Sequence, residues 1–187
     1  MDLNGARTAM SGRFSDVLAA AKNGEEWAWE AIYREFSGPV TGYLVSRGAA
    51  DAEGLTGEVL LNVARGIHGF DGDSKKFRSW IFVITHRCLI DDRRMRARRP
   101  ISAELSEAYG GDVEDEAIDR LARDDLERLF EGLTVRQRDV LSLRIIGGLS
   151  LRDTAEVLDM QVGAVKVMQH RAIATLRDRL MREDVTL

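Results

Sequence analysis

Two helix starts of the same chemistry, set apart by a pair of glycines, dominate the C-terminal third of the chain. Thr134 is followed three residues later by Gln137, and Ser150 three residues later by Asp153. A hydroxyl that accepts from the third backbone N–H, answered by a polar side chain reaching back, is a capping box, so each stretch opens a helix. Apolar Val140, Leu141, Leu143 and Ile145 follow the first cap, and Gly147-Gly148 stop that helix. The stretch after the second cap, LRDTAEVLDMQVGAVKVMQHRA, has the spacing of a helix-turn-helix. Ala155 falls where two helices approach closely and only a small side chain fits. Asp159 falls four residues later, where the turn needs left-handed backbone that Asp tolerates. Leu151 and Leu158 before the turn, and Val165 and Met168 after it, keep core spacing.

The second helix of the pair is expected from about Val162 to Leu180. Its apolar stripe is Val165, Met168 or Gln169, Ala172, Leu176 and Leu180, at steps of three and four. That leaves Lys166, His170 and Arg171 outward in the half that reads base edges in a major groove. Arg177 and Arg179 lie farther along, where cations meet phosphates and position without specifying. The plainer alternatives stay open: a solvated helix histidine at His170, and a helix pair that serves only packing or dimerisation.

The rest of the chain agrees with an all-α protein. Only two prolines occur and apolar alternation is scarce, while Leu, Ala, Glu and Arg abound. Nothing approaches the roughly 18–20 apolar residues of a membrane span, and the N-terminus lacks the apolar core of a secretory signal. Cys88 is the single cysteine and the three histidines are scattered, so neither an internal disulfide nor a metal site is expected. The chain reads as cytoplasmic, without a cofactor and without membrane insertion.

A formal net charge of -4 hides strong segregation. Lys75, Lys76, Arg78, Arg87, Arg93, Arg94, Arg96, Arg98 and Arg99 face only Asp91 and Asp92 in their stretch, and the sign reverses at Pro100. From Glu104 to Glu127 acids dominate, with Gly110-Gly111 among them and few large apolar residues before Leu121, as in a linker. The expected organisation is a tail over residues 1–13, a helical domain over 14–99, an acidic linker over 100–122 and a helix-turn-helix domain over 123–187. Each domain is small enough that partners help to stabilise it.

Within the N-terminal domain Phe77, Trp80, Ile81, Ile84 and Cys88 recur at helical steps, so Trp80 reads as core. Arg87, Arg94 and Arg98 share one stripe of the same helix, at steps of seven and four. Between Asp51 and Ile67 apolar Leu55, Val59, Leu60, Val63 and Ala64 oppose a polar stripe of Asp51, Glu58, Asn62 and Arg65. GIHGFDGDSKKF joins the two helices, a loop that serves either as a connector or as a site for an unstacked base.

In this order, FRSWIFVITHRCLIDDRRMRARR, an acidic stretch and LTVRQRDVLSLRIIGGLSLRDTAEVLDMQVGAVKVMQHRAIATLRDRL resemble the extracytoplasmic-function (ECF) group of bacterial sigma factors. The resemblance spans about Phe14 to Leu180. It implies a dissociable specificity subunit of bacterial core RNA polymerase, one domain melting and reading the minus-ten promoter element and the other reading the minus-thirty-five element. It implies polymerase docking through Asp51, Glu58 and Asn62. It assigns minus-ten contacts and melting to Lys75, Lys76, Arg87, Arg93, Arg94, Arg96 and Arg98, with the loop from Gly66 to Lys76 as a pocket for a flipped base. Minus-thirty-five contacts fall to Lys166, His170, Arg171 and Arg177. Linkers of the family thread the polymerase channels, and members are often held by an anti-sigma factor.

The chain departs from the family's common forms at three places. Gly54 and Gly57 replace an acid and a Gln in the docking helix, Arg87 replaces an Asn, and Val167-Met168-Gln169 replace Ser, Arg and Leu in the recognition helix. Two other classes compete. A free-standing helix-turn-helix regulator would need a dimer surface, and no coiled-coil seam is present. An enzyme on nucleic acid would need catalytically spaced carboxylates or a nucleophile with its base.

Overall fold

The structure, a computed structural model, describes residues 13–98, 128 and 130–184. The tail and the acidic linker expected from the sequence lie outside these, apart from Arg13. Among the described residues the chain is all helical: α1 Phe14–Lys22, α2 Glu26–Ser46, α3 Ala52–Gly66, a 3₁₀ turn Ile67–Gly69, α4 Ser74–Arg98, α5 Val135–Ile145, α6 Leu151–Val157 and α7 Val162–Asp184.

Apolar periodicity builds the first four helices. α2 buries Ala28, Ile32, Phe36, Val40, Tyr43 and Leu44, a stripe stepped almost entirely by four. Pro39 lies inside α2, where it has no N–H to offer the Glu35 carbonyl, yet the helix continues to Ser46. α3 starts on Asp51, whose Oδ1 accepts from the Gly54 N–H at 2.8 Å. Aromatic rings tie α1, α2, the 3₁₀ turn and α4 together. The Phe77 ring lies 5.0 Å from Phe70, 5.3 Å from Phe14, and 5.7 Å from both Phe36 and Trp80. Trp80 thus packs on the core side, as its spacing predicts, and a side chain at Gly66 would strike its ring at 2.9 Å.

The second half follows its caps. Both capping boxes are formed, Thr134 with Gln137 and Ser150 with Asp153. Asp159 takes φ 50, the left-handed value expected of the turn residue. Ala155 packs with Val140 and Val165 at the crossing of the helix pair, with Leu151, Leu158, Met160 and Met168 around them. Leu180, expected in the buried stripe, is 54% exposed, because α7 outruns the short helices beneath it.

The two halves do not sit apart. Leu143, Leu149 and Val157 from α5, α6 and their connection belong to the same buried cluster as Phe82 and Leu89 of α4 and Tyr43 and Leu44 of α2. Glycines permit this approach: a Cβ on Gly147 would lie 3.2 Å from the Phe82 ring and 2.7 Å from the Leu143 carbonyl, and one on Gly42 would lie 3.2 Å from Ile146. Ser46 donates to Ser142 across the seam at 2.8 Å, and Arg47 pairs with Asp139. The physical reason is area. A helical unit of this size closes only part of its apolar surface alone, and the middle of α5 is enclosed on all sides, at Asp139, Val140, Leu141, Ser142 and Leu143.

Candidate nucleic-acid interface

α4 ends in a row of exposed arginines. Its N-terminal two-thirds is anchored by Phe77, Ile81, Phe82, Thr85, Cys88 and Leu89, and its last turns run out as a cationic rod. Arg87, Arg94, Arg96 and Arg98 are exposed. Arg94 leans on Asp91 at 3.5 Å and Arg96 on Asp92 at 3.0 Å, pairs within the helix that leave the guanidinium groups at the surface. Arg93 stands apart from this row: it is half-buried and donates to the Arg47 carbonyl, so it supports the seam. Arg78 also turns inward, to Glu35, to the Gly147 carbonyl at 3.4 Å and over the Phe36 ring at 4.9 Å.

Beside the start of α4 the last part of the loop expected to receive an unstacked base forms one wall of a cavity of about 580 Å³. Its other wall is α1, with Phe14, Leu18 and Lys22, and the loop contributes Asp71 to Ser74. Lys22 fixes the loop by donating to the Phe70 carbonyl at 2.8 Å. Lys75 and Lys76 are exposed in the first turn of α4, and the Lys76 N–H caps on Asp73 at 2.8 Å.

The outer face of α3 carries Asp51, Glu58, Arg65 and a residue the sequence reading passed over, Leu61, which is 58% exposed. Leu61 follows Glu58 by three, so the helical step could have placed it there. Asn62 turns away: it donates to the Cys88 sulfur at 3.5 Å and accepts from Arg65 at 3.3 Å. Burial raises the Cys88 thiol above its ordinary pKa. Gly57 has open space where a Cβ would be, while a Cβ on Gly54 would collide with the Asp51 cap.

On the other half, α7 presents Lys166, His170, Arg171 and Arg177 to solvent. Arg144 donates to Gln169 at 2.9 Å, so Gln169 braces α7 against α5 rather than facing out. Arg179 binds the carbonyls of Arg128 and Glu131, the latter at 3.3 Å, and holds the end of α7 to the segment before α5.

Between the halves lies a polar cluster that the sequence reading missed. Tyr43 and His86 Nδ1 share a hydrogen bond of 2.8 Å beside Arg47, Arg93 and Asp139. Burial chiefly, with Asp139 adding to it, lifts the Tyr43 phenol above its usual pKa. Burial also depresses His86, and the Arg47 and Arg93 charges reinforce it against the pull of Asp139. The available signal was Asp139 and Ser142 at a helical step of three, flanking the apolar Val140 and Leu141 of α5.

An all-α chain with a helix-turn-helix on one half and a cationic helix on the other defines a DNA-binding transcription protein. Comparison with known families sharpens this. Residues 32–99 match the family described as Sigma-70 region 2, and residues 123–176 match Sigma-70, region 4. The ECF RNA polymerase sigma factor BldN of Streptomyces coelicolor is 30% identical over 181 residues, covering 93% of this chain and 68% of its own. The ECF RNA polymerase sigma factor SigD of Mycobacterium tuberculosis is 27% identical over 97% of this chain and 90% of its own. Among solved structures, CnrH in complex with the cytosolic domain of CnrY shares the fold, with TM-score 0.66 at 23% identity over 89% of this chain and 96% of that one. The chain belongs to the ECF RNA polymerase sigma factors, non-catalytic factors of transcription initiation. No helix among the described residues is long and apolar enough to cross a membrane.

Proposed function

We propose that residues 14–99 dock on bacterial core RNA polymerase and open the minus-ten element, that residues 123–187 read the minus-thirty-five element, and that residues 100–122 tether the two. Asp51 and Glu58, joined by Leu61, form the polymerase-facing side of α3; Asn62 acts from behind by fixing α3 to α4. Lys75, Lys76, Arg87, Arg94, Arg96 and Arg98 line the path of the melting strand, with Arg93 holding the base of the rod. The cavity between α1 and the loop takes a base turned out of the stack, at a cost of a few kcal/mol. Lys166, His170 and Arg171 face base edges, and Arg177 faces phosphate. An anti-sigma factor is the further partner implied, and the cytoplasm is the place of action.

One observation carries this reading: both cationic faces point outward from a body whose interior is shared. On the promoter the two elements lie about 25 base pairs apart, so at about 3.4 Å per pair their centres are separated by about 85 Å. A compact chain of this length has a radius of gyration of about 16 Å, hence a diameter of about 40 Å. The packed form reaches one element at a time. Promoter engagement therefore requires the seam between α2–α4 and α5–α6 to part, with polymerase holding the halves at the longer distance. Run-off transcription on genomic DNA with core polymerase tests the assignment. Discrete starts that appear only when the chain and the core enzyme are both present support it. Tight sequence-specific duplex binding by the chain alone, without polymerase-dependent starts, favours a free-standing regulator.

A further inference from the structure

The recognition face of α7 has an apolar residue at its centre. Val165 and Ala172 are fully buried and mark the inward side of the helix. At about 100° per residue, Val167 lies about 200° around from Val165 and points almost straight away from the domain. Gly163 and Ala174 share that meridian, and nothing surrounds the Cβ position of Gly163. The polar groups flank it, Lys166 and His170 on one side and Arg171 on the other. Val167 is 51% exposed and touches no core cluster, although a β-branched residue on a bare helix surface gains nothing for the helix and is stiff at χ1. Val162 and Ile173 are also exposed, but they lie a third of a turn or more away and do not extend it into a patch.

A side chain on this meridian reaches deepest into a groove when α7 docks. The floor of the major groove offers hydrogen-bonding edges, which an isopropyl group leaves unpaired, and one apolar feature, the 5-methyl group of thymine. We infer that Val167 is a specificity-determining residue that reads a thymine methyl in the upstream promoter element. The inference rests on the assignment of residues 123–187 to that element. The small Gly163 and Ala174 let the helix approach, stiffness at χ1 fixes where the two methyls of Val167 lie, and the flanking cations set the register.

The test uses the chain bound to core polymerase and a pool of promoters randomised across the upstream element. After enrichment, each thymine of that element is replaced in turn by deoxyuridine, which removes one methyl and nothing else. The expected result is a single position where this change weakens promoter binding about fourfold, the worth of one buried methyl group. Val167→Ser should bind the thymine and uracil promoters equally, with its fold verified by circular dichroism. An enriched element without thymine, no uracil-sensitive position, or a sensitivity that persists in Val167→Ser overturns the inference while leaving the sigma assignment standing. Failure of the complex to enrich any sequence removes that assignment and this inference with it.

Discussion

Arg47, just beyond the end of α2, and Asp139, in α5, form an ion pair across the seam with only 3% and 11% of their side chains exposed. Two charges so deeply withdrawn from water are held by each other, and removing either strands its partner. Asp139→Ala should therefore cost about 3–5 kcal/mol of unfolding free energy, far above the level of a surface change. Chemical denaturation measures it, and solution scattering should show an enlarged radius as the halves separate. A loss below about 1 kcal/mol would mean the pair contributes little to closure.

His86 makes the seam sensitive to acid. Its pKa in the folded chain lies below the ordinary value of about 6.5 kept in the unfolded chain. The unfolded state thus binds the proton first as pH falls, and the contribution of neutral His86 is full above about pH 6.5 and lost below it. Stability should decline as pH falls below about 6.5 in the wild type, and His86→Gln should flatten that part of the curve. An unchanged slope in the variant assigns the decline to other groups.

On α3, reversing Glu58 to Lys should lower the affinity for core polymerase by about tenfold, since it inverts a charge on the proposed docking face. Because Glu58 is exposed, unfolding should change by no more than about 0.5 kcal/mol. Surface-plasmon titration with core enzyme checks the first and thermal melting the second. Unaltered affinity removes Glu58 from the docking surface.

Replacing Arg94 and Arg98 together with Ala should weaken promoter-complex formation and reduce the slope of log K against log salt by about 1.5 units, the release of two phosphate contacts. Binding titrations of the polymerase complex between low and moderate salt read both quantities. If neither changes, the end of α4 is a solvated helix terminus.

The elements legible in the sequence are those with strong local signals. Both capping boxes, the left-handed Asp159, the core-facing Trp80 and the outward Lys166, His170 and Arg171 are set by neighbours within a few residues. What periodicity does not encode is the partner of a surface. Asp139 and Ser142 look like the polar side of α5 until α2 supplies Arg47 and Ser46 from far along the chain. Arg93 falls in a charge run where Arg94, Arg96 and Arg98 face out, and only the seam shows that it turns to the Arg47 carbonyl. Asn62 shares the polar stripe of α3, yet a single helical step brings it against Cys88.

The central claim is that halves packed together here work apart. Ser46 and Ser142 lie with their hydroxyl oxygens 2.8 Å apart, a juxtaposition suited to a disulfide. With Cys88→Ser leaving no other thiol, Ser46→Cys and Ser142→Cys together should close under mild oxidant and lock the seam. Run-off transcription with core polymerase should then fall to background in the oxidised protein and return on reduction. Full promoter-specific transcription from the verified, oxidised protein would contradict the account.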